Sequence, residues 1–180
     1  MRLGRSLAMV CGAAVALISA PRAHADSISI VAKGTINGAC SITVGQNFQS
    51  VNMTSATSAS ATAVVNCNTG FVTRATSANG ALVSAGATSA NFTNRLDYTL
   101  KLAVPLDGGS TVSASCGAAT LKAGQSSCVL SPAGGGLSSA GGIATNQTAT
   151  LTASWTLPTS PRPTAGSYFD TITLSITAMP

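Results

Sequence analysis

The chain has 180 residues, of which 45% are apolar and only 7% charged, so it is one domain's worth of sequence. Nine Lys and Arg stand against four Asp, there is no Glu, and the single histidine is His24. A serine nucleophile needs a base, commonly histidine, and glycoside hydrolysis usually needs two carboxylates poised together, so few catalytic schemes survive this inventory and no catalytic residue is assigned.

Residues 1–25 read as a secretory signal peptide. Arg2 and Arg5 precede an apolar run over residues 7–20, and the small-x-small triplet Ala23-His24-Ala25 offers a cleavage site before Asp26. The run is shorter than the roughly 20 residues that cross a bilayer, so no stable membrane anchor is expected, and Cys11 is discarded with the leader. Cleavage removes Arg2, Arg5, Arg22 and His24. Lys33, Arg74, Arg95, Lys101, Lys122 and Arg162 then oppose Asp26, Asp97, Asp107 and Asp170, a net charge of +2 with no basic cluster. Neither nucleic acid nor an anionic membrane is an expected partner.

Apolar residues recur at every second position in several stretches, the period of a half-buried strand. Residues 26–37 place Ile28, Ile30, Ala32, Gly34 and Ile36 on one face. Residues 39–45 align Cys40, Ile42 and Val44, and residues 61–67 align Ala61, Ala63, Val65 and Cys67. Asn79-Gly80 and Asp107-Gly108 are tight-turn signals. Between them Leu96, Tyr98, Leu100, Leu102 and Val104 form the cleanest alternating face. Residues 131–146, with Gly134-Gly135-Gly136 and Gly141-Gly142, read as a mobile loop; no Lys or helix follows that would make it a phosphate cradle. Ala149, Leu151, Ala153, Trp155 and Leu157 make another strand, ended by Pro158, Pro161 and Pro163. Residues 168–178 form the last, with Tyr168, Ile172, Leu174 and Ile176 on one face together with Asp170. Trp155 and Tyr168 read as core aromatics and Asp170 as a structural carboxylate. The glycosylation triplets at Asn52, Asn91 and Asn146 read as chance in a Ser- and Thr-rich chain.

Cys40, Cys67, Cys116 and Cys128 remain after cleavage, an even number in an exported chain, and imply two disulfides. Three connectivities are open; Cys40 with Cys67 and Cys116 with Cys128 is favoured because each pair ties segments able to lie side by side. A metal site lacks support, with no Cys-x-x-Cys pair and no histidine in the mature chain, and no cofactor is implied.

Many short strands separated by turns, without a sustained helical period, point to an all-β antiparallel sandwich. An immunoglobulin-like sandwich wants about seven strands. Here the last strong strand runs into the C-terminus, leaving an expected open edge and apolar groove beside residues 168–178, while residues 26–37 are a strand with no hairpin partner. A missing strand and a spare one suggest exchange between molecules.

The closing segment, Ala165-Gly166-Ser167-Tyr168-Phe169-Asp170-Thr171-Ile172-Thr173-Leu174-Ser175-Ile176, resembles the terminal motif of spore coat protein U domain proteins, which include archaic chaperone-usher pilins. Ala153-Ser154-Trp155-Thr156-Leu157-Pro158 stands where that family places a final inner strand, and Asn37-Gly38-Ala39-Cys40 matches its opening cysteine segment; the long Gly-rich stretch after Cys128 departs from it. The resemblance implies an incomplete immunoglobulin-like sandwich over residues 38–180 that lacks its last strand, with residues 26–37 as an N-terminal donor strand. It implies a structural pilus subunit, assembled by donor-strand exchange with a periplasmic chaperone, an outer-membrane usher and identical or related subunits as partners. The chain would pass through the periplasm to a cell-surface fimbria that serves attachment and biofilm formation. The competing expectation is a self-complemented secreted coat or matrix protein whose N-terminal strand fills its own groove.

Overall fold

A computed structural model of the chain describes residues 33–179, so Ile28, Ile30 and Ala32 lie outside the described residues. Among those described, twelve strands follow in chain order: β1 (Cys40–Gln46), β2 (Ser58–Cys67), β3 (Phe71–Ser77), β4 (Leu82–Val83), β5 (Phe92–Thr93), β6 (Arg95–Leu96), β7 (Tyr98–Pro105), β8 (Thr111–Gly117), β9 (Leu137–Ser138), β10 (Ala144–Trp155), β11 (Arg162–Pro163) and β12 (Ile172–Ala178). Two short 3-10 turns, Ala118–Leu121 and Pro132–Gly134, are the only helical elements described.

The larger sheet has five antiparallel strands in the order β1-β2-β10-β7-β8, and the smaller has three in the order β12-β3-β9. Strands β4 and β6 form an antiparallel two-residue ribbon, and β5 with β11 a parallel one, the single departure from the antiparallel expectation. The chain is therefore all-β, with both main sheets antiparallel.

Period-two alternation decides which side chains meet. Ala61, Ala63, Val65 and Cys67 of β2, Leu100, Leu102 and Val104 of β7, and Ala149, Leu151, Ala153 and Trp155 of β10 all turn inward and are buried. Phe71 and Ala75 of β3 join them from the smaller sheet, and Leu121 and Leu130 close the same core from the long connection. Burying each large apolar side chain contributes about 1.5–3 kcal/mol, so β7, with three such residues, anchors the larger sheet. Leu157, expected on the β10 face, is half-buried just beyond the strand's end.

Strands β3 and β8 have no counterpart in the apolar pattern of the sequence. The inward face of β3 alternates Phe71, Thr73, Ala75 and Ser77, all buried but half of them polar. Ser77 is paid for by a carboxylate described below, and the Phe71 amide donates to the Ser139 hydroxyl at 2.9 Å. In β8 only Val112, Ala114 and Cys116 turn inward, so small side chains mute the signal.

Residues 131–146 are an ordered connection rather than the expected mobile loop. The Ser131 hydroxyl accepts the Gly134 amide at 3.0 Å, Leu137 and Ser139 are buried, and β9 pairs with Val72 and Thr73 of β3. Gly136, at φ +90°, runs so close to β3 that a Cβ there would collide with Val72 and Arg74, which accounts for glycine at that point. At the far end, Asp107 accepts from the Thr145 amide and from Gln147 Nε2, both at 2.8 Å, and these bonds hold its carboxyl below the usual carboxylate range.

The disulfides are Cys40–Cys67 and Cys116–Cys128. Cys40 and Cys67 are direct cross-strand partners of β1 and β2, with Cα atoms 4.2 Å apart. Cys116–Cys128 ties the end of β8 to the start of the long connection.

Three differences concern the ends. Residues 33–39 form no strand, and Gly34 and Ile36 are exposed, Ile36 to 89%. Val44 sits on the inward face of β1 beyond Ile42 yet is 71% exposed. Strand β12 starts only at Ile172; Tyr168 and Asp170 precede it, and Phe169 instead bridges to Val83.

Candidate functional site

Strand β12 pairs with β3 on one side, and among the described residues no strand pairs with its other side. Its inward side chains, Ile172, Leu174 and Ile176, sit opposite Ser77, Ala75 and Thr73 of β3 and are only half-buried, although they pack against the core. Strand β1 is the matching edge of the larger sheet and approaches β12 across the gap between the sheets. Ile42 and Val44 of β1 thus present apolar surface beside an edge with unused backbone donors and acceptors.

The gap tapers. At one end Gly38 lies against Thr69 and Ala178. At the other it widens into a groove of about 1000 Å³ between Phe48, Val51 and Met53 on one lip and Tyr168, Phe169 and Ile172 on the other, with Trp155 and Leu96 among its lining residues. Phe169 is 61% exposed there. Its polar lining includes Gln49, Asn52, Thr54, Arg162, Thr164 and Asp170. An apolar groove beside an unpaired strand edge has a shape that could admit an extended segment with apolar side chains at alternate positions.

Two hydrogen-bonded hubs hold the wall formed by the segment entering β12. The Asp170 carboxylate accepts from the Tyr98 hydroxyl (2.7 Å), the Ser77 hydroxyl, the Asn79 amide (3.0 Å) and the Thr171 amide (2.8 Å). It joins β3, β7 and the approach to β12 at one point. Burial, then the Asp170 hydrogen bond and charge, push the Tyr98 phenol well above the ordinary tyrosine range. Tyr168 is the second hub: its one hydroxyl proton is shared between the carbonyls of Thr164 (2.9 Å) and Thr93 (3.1 Å). Gly166-Ser167-Tyr168-Phe169-Asp170 therefore braces one lip of the groove.

The structure packs Tyr168, Ile172, Leu174 and Ile176, all half-buried, against the core, with Tyr168 and Ile172 also lining the groove. It keeps Gly34 and Ile36 outside any strand. Trp155 is buried in the core with its indole N–H lacking an acceptor among the described residues. Sequence reasoning missed the opposite lip, because Phe48, Val51 and Met53 are isolated apolar residues in a polar connection; their 3- and 2-residue spacing matches no regular element. No group of His, Cys, Asp or Glu among the described residues could hold a metal ion. No described helix is long and apolar enough to cross a membrane.

Comparison with protein-family models, curated proteins and solved structures finds no match.

Proposed function

We propose that the chain is a structural subunit of an extracellular pilus built by donor-strand exchange, and that its β-fold is an immunoglobulin-like sandwich lacking one strand. The observation that carries this reading is the open side of β12, where Ile172, Leu174 and Ile176 are only half-buried and Ile172 lines a widening groove. The alternation of Ile28, Ile30, Ala32, Gly34 and Ile36 is the complementary shape. Three isoleucines moved from water into such a groove contribute about 5–9 kcal/mol before ordering costs, and main-chain pairing with β12 adds to that.

On this reading the leader takes the chain to the periplasm, where a chaperone strand first covers the groove. At an outer-membrane usher the N-terminal strand of the next subunit replaces it, and the growing fimbria reaches the cell surface to serve attachment and biofilm formation. The chaperone-usher route rests on the resemblance of the terminal Gly-x-Tyr-x-Asp segment and the opening cysteine segment. The two disulfides suit an oxidising compartment.

The test is deletion of residues 27–36 from the exported chain. The deleted chain is expected to bind the periplasmic chaperone but to form no multimers that survive cold detergent, while the intact chain forms a ladder of them. An unchanged ladder from the deleted chain rules the reading out.

A further inference from the structure

The larger sheet has a second edge, β8, on the side opposite β1. Strand β8 pairs with β7 in one unbroken register, from Thr111 opposite Pro105 to Gly117 opposite Thr99. At the mouth of this hairpin the Leu106 amide donates to the Ser110 carbonyl at 2.8 Å, which marks those residues as a hydrogen-bonded pair. In an antiparallel ladder such pairs alternate with pairs that make no bond to each other. Val112, Ala114 and Cys116 therefore bond to Val104, Leu102 and Leu100, while Thr111, Ser113, Ser115 and Gly117 turn their N–H and C=O groups away from β7. The Gly117 carbonyl accepts the Thr120 hydroxyl at 2.7 Å. The outward main-chain groups of Thr111, Ser113 and Ser115 have no partner among the described residues, and all three residues are exposed.

A sheet edge is commonly blunted by a bulge, a proline or a charge. Strand β1 has a bulge, between Val44 and Gln46. Strand β8 has none of these devices: its register is continuous, and residues 108–121 contain neither a proline nor a charged side chain. The edge also fits itself. Two β8 strands paired antiparallel about a twofold axis at Ser113 set Ser113 opposite Ser113 and Thr111 opposite Ser115, so every free group of these residues finds a partner. The exposed hydroxyl side chains then meet as Ser–Ser and Thr–Ser pairs, with no like charges between them. On the inner face, half-buried Val112 of one copy lies opposite Ala114 of the other, which continues the apolar layer across the joint. Moving the axis to Ala114 would set Thr111 against Gly117, whose carbonyl is already taken.

We propose that β8 is a docking edge whose occupant is β8 of a second copy of the chain, paired antiparallel about Ser113. The contact uses neither residues 26–37 nor β1 nor β12, so it stands apart from strand exchange. In a fibre it joins neighbouring fibres side by side.

The test uses the full chain, exported with its own leader and carrying single cysteine substitutions; Cys40, Cys67, Cys116 and Cys128 are already paired with one another. In the β8 pair the Cα atoms of the two Ser113 residues stand about 5.5 Å apart, within reach of a disulfide, whereas the two Thr111 residues are about 14 Å apart along the strands. Boiling in detergent without reductant dismantles strand-exchanged multimers and leaves only covalent pairs. Ser113→Cys is expected to give a covalent dimer and Thr111→Cys none. Thr111→Cys and Ser115→Cys chains expressed together should give the dimer that neither gives alone, a measurement that serves if Ser113→Cys does not fold. Ser113→Pro removes a free N–H without touching the β7 ladder, so it should keep the wild-type circular dichroism and lose the hydrogen-exchange protection of the Thr111 and Ser115 amides seen in the concentrated wild type. Only monomer from Ser113→Cys and from the mixture, or as much dimer from Thr111→Cys, overturns the β8 pair. A wild type that forms no detergent-resistant ladder while Ser113→Cys still dimerises upholds the β8 pair and refutes strand exchange alone.

Discussion

Replacing Asp170 with alanine removes the acceptor shared by the Tyr98 and Ser77 hydroxyls and by the Asn79 and Thr171 amides. Tyr98 is 5% exposed and Ser77 4%, so both hydroxyls lose their partner where little water reaches them. Ser77 also accepts the Gly80 amide at 2.6 Å, so its donor direction is constrained. A buried donor left without a partner costs about 1–3 kcal/mol, and two of them bring the expected loss to about 3 kcal/mol. With a urea slope of about 2 kcal/mol/M, the unfolding midpoint of Asp170→Ala should fall by about 1.5 M at an unchanged slope. Asp97→Ala is the control: that carboxylate is exposed and makes only a 3.4 Å ion pair with Arg95, worth less than about 1 kcal/mol. If the two variants shift the midpoint equally, Asp170 is not the buried hub described above.

Replacing both Cys116 and Cys128 with serine should lower stability by about 3 kcal/mol through the freed loop, read as a drop in urea midpoint under non-reducing conditions. The raised Tyr98 pKa has a definite sign: above about pH 10 the unfolded chain ionises this phenol while the folded chain keeps its proton. That contribution to stability is complete below pH 10 and is lost as the pH climbs from there, so the midpoint should decline in alkali, and phenolate absorbance should report one tyrosine titrating late. Leu174→Lys, in the middle of the β12 wall, should leave the body folded by circular dichroism but abolish binding of a synthetic peptide covering residues 26–37. Intact mass of the periplasmic product should correspond to a chain beginning at Asp26.

Strands that carry apolar residues on their inner face were legible. Leu100, Leu102 and Val104 announce β7, and Ala149, Leu151, Ala153 and Trp155 announce β10, because burial selected apolar side chains at every second position. Strand β3 was silent because Thr73 and Ser77 occupy inward positions, and the partner that makes Ser77 tolerable, Asp170, lies 93 residues away in sequence. The Gly-rich connection misled for a related reason. Glycines that suggest freedom in a sequence serve close approach in the fold, as Gly136 does against β3. Of the candidate site, the wall built from Ile172, Leu174 and Ile176 could be read in advance, since it belongs to a regular strand. The lip from Phe48 to Met53 could not, because irregular backbone sets its placement and carries no period.

Hydrogen exchange along β12 tests strand exchange most directly. Measured on separated multimers and monomers of the full exported chain, the amides of β12 that do not pair with β3 should be protected in the multimer and exchange freely in the monomer. Equal protection in a lone monomer would mean that the groove is closed from within the same molecule.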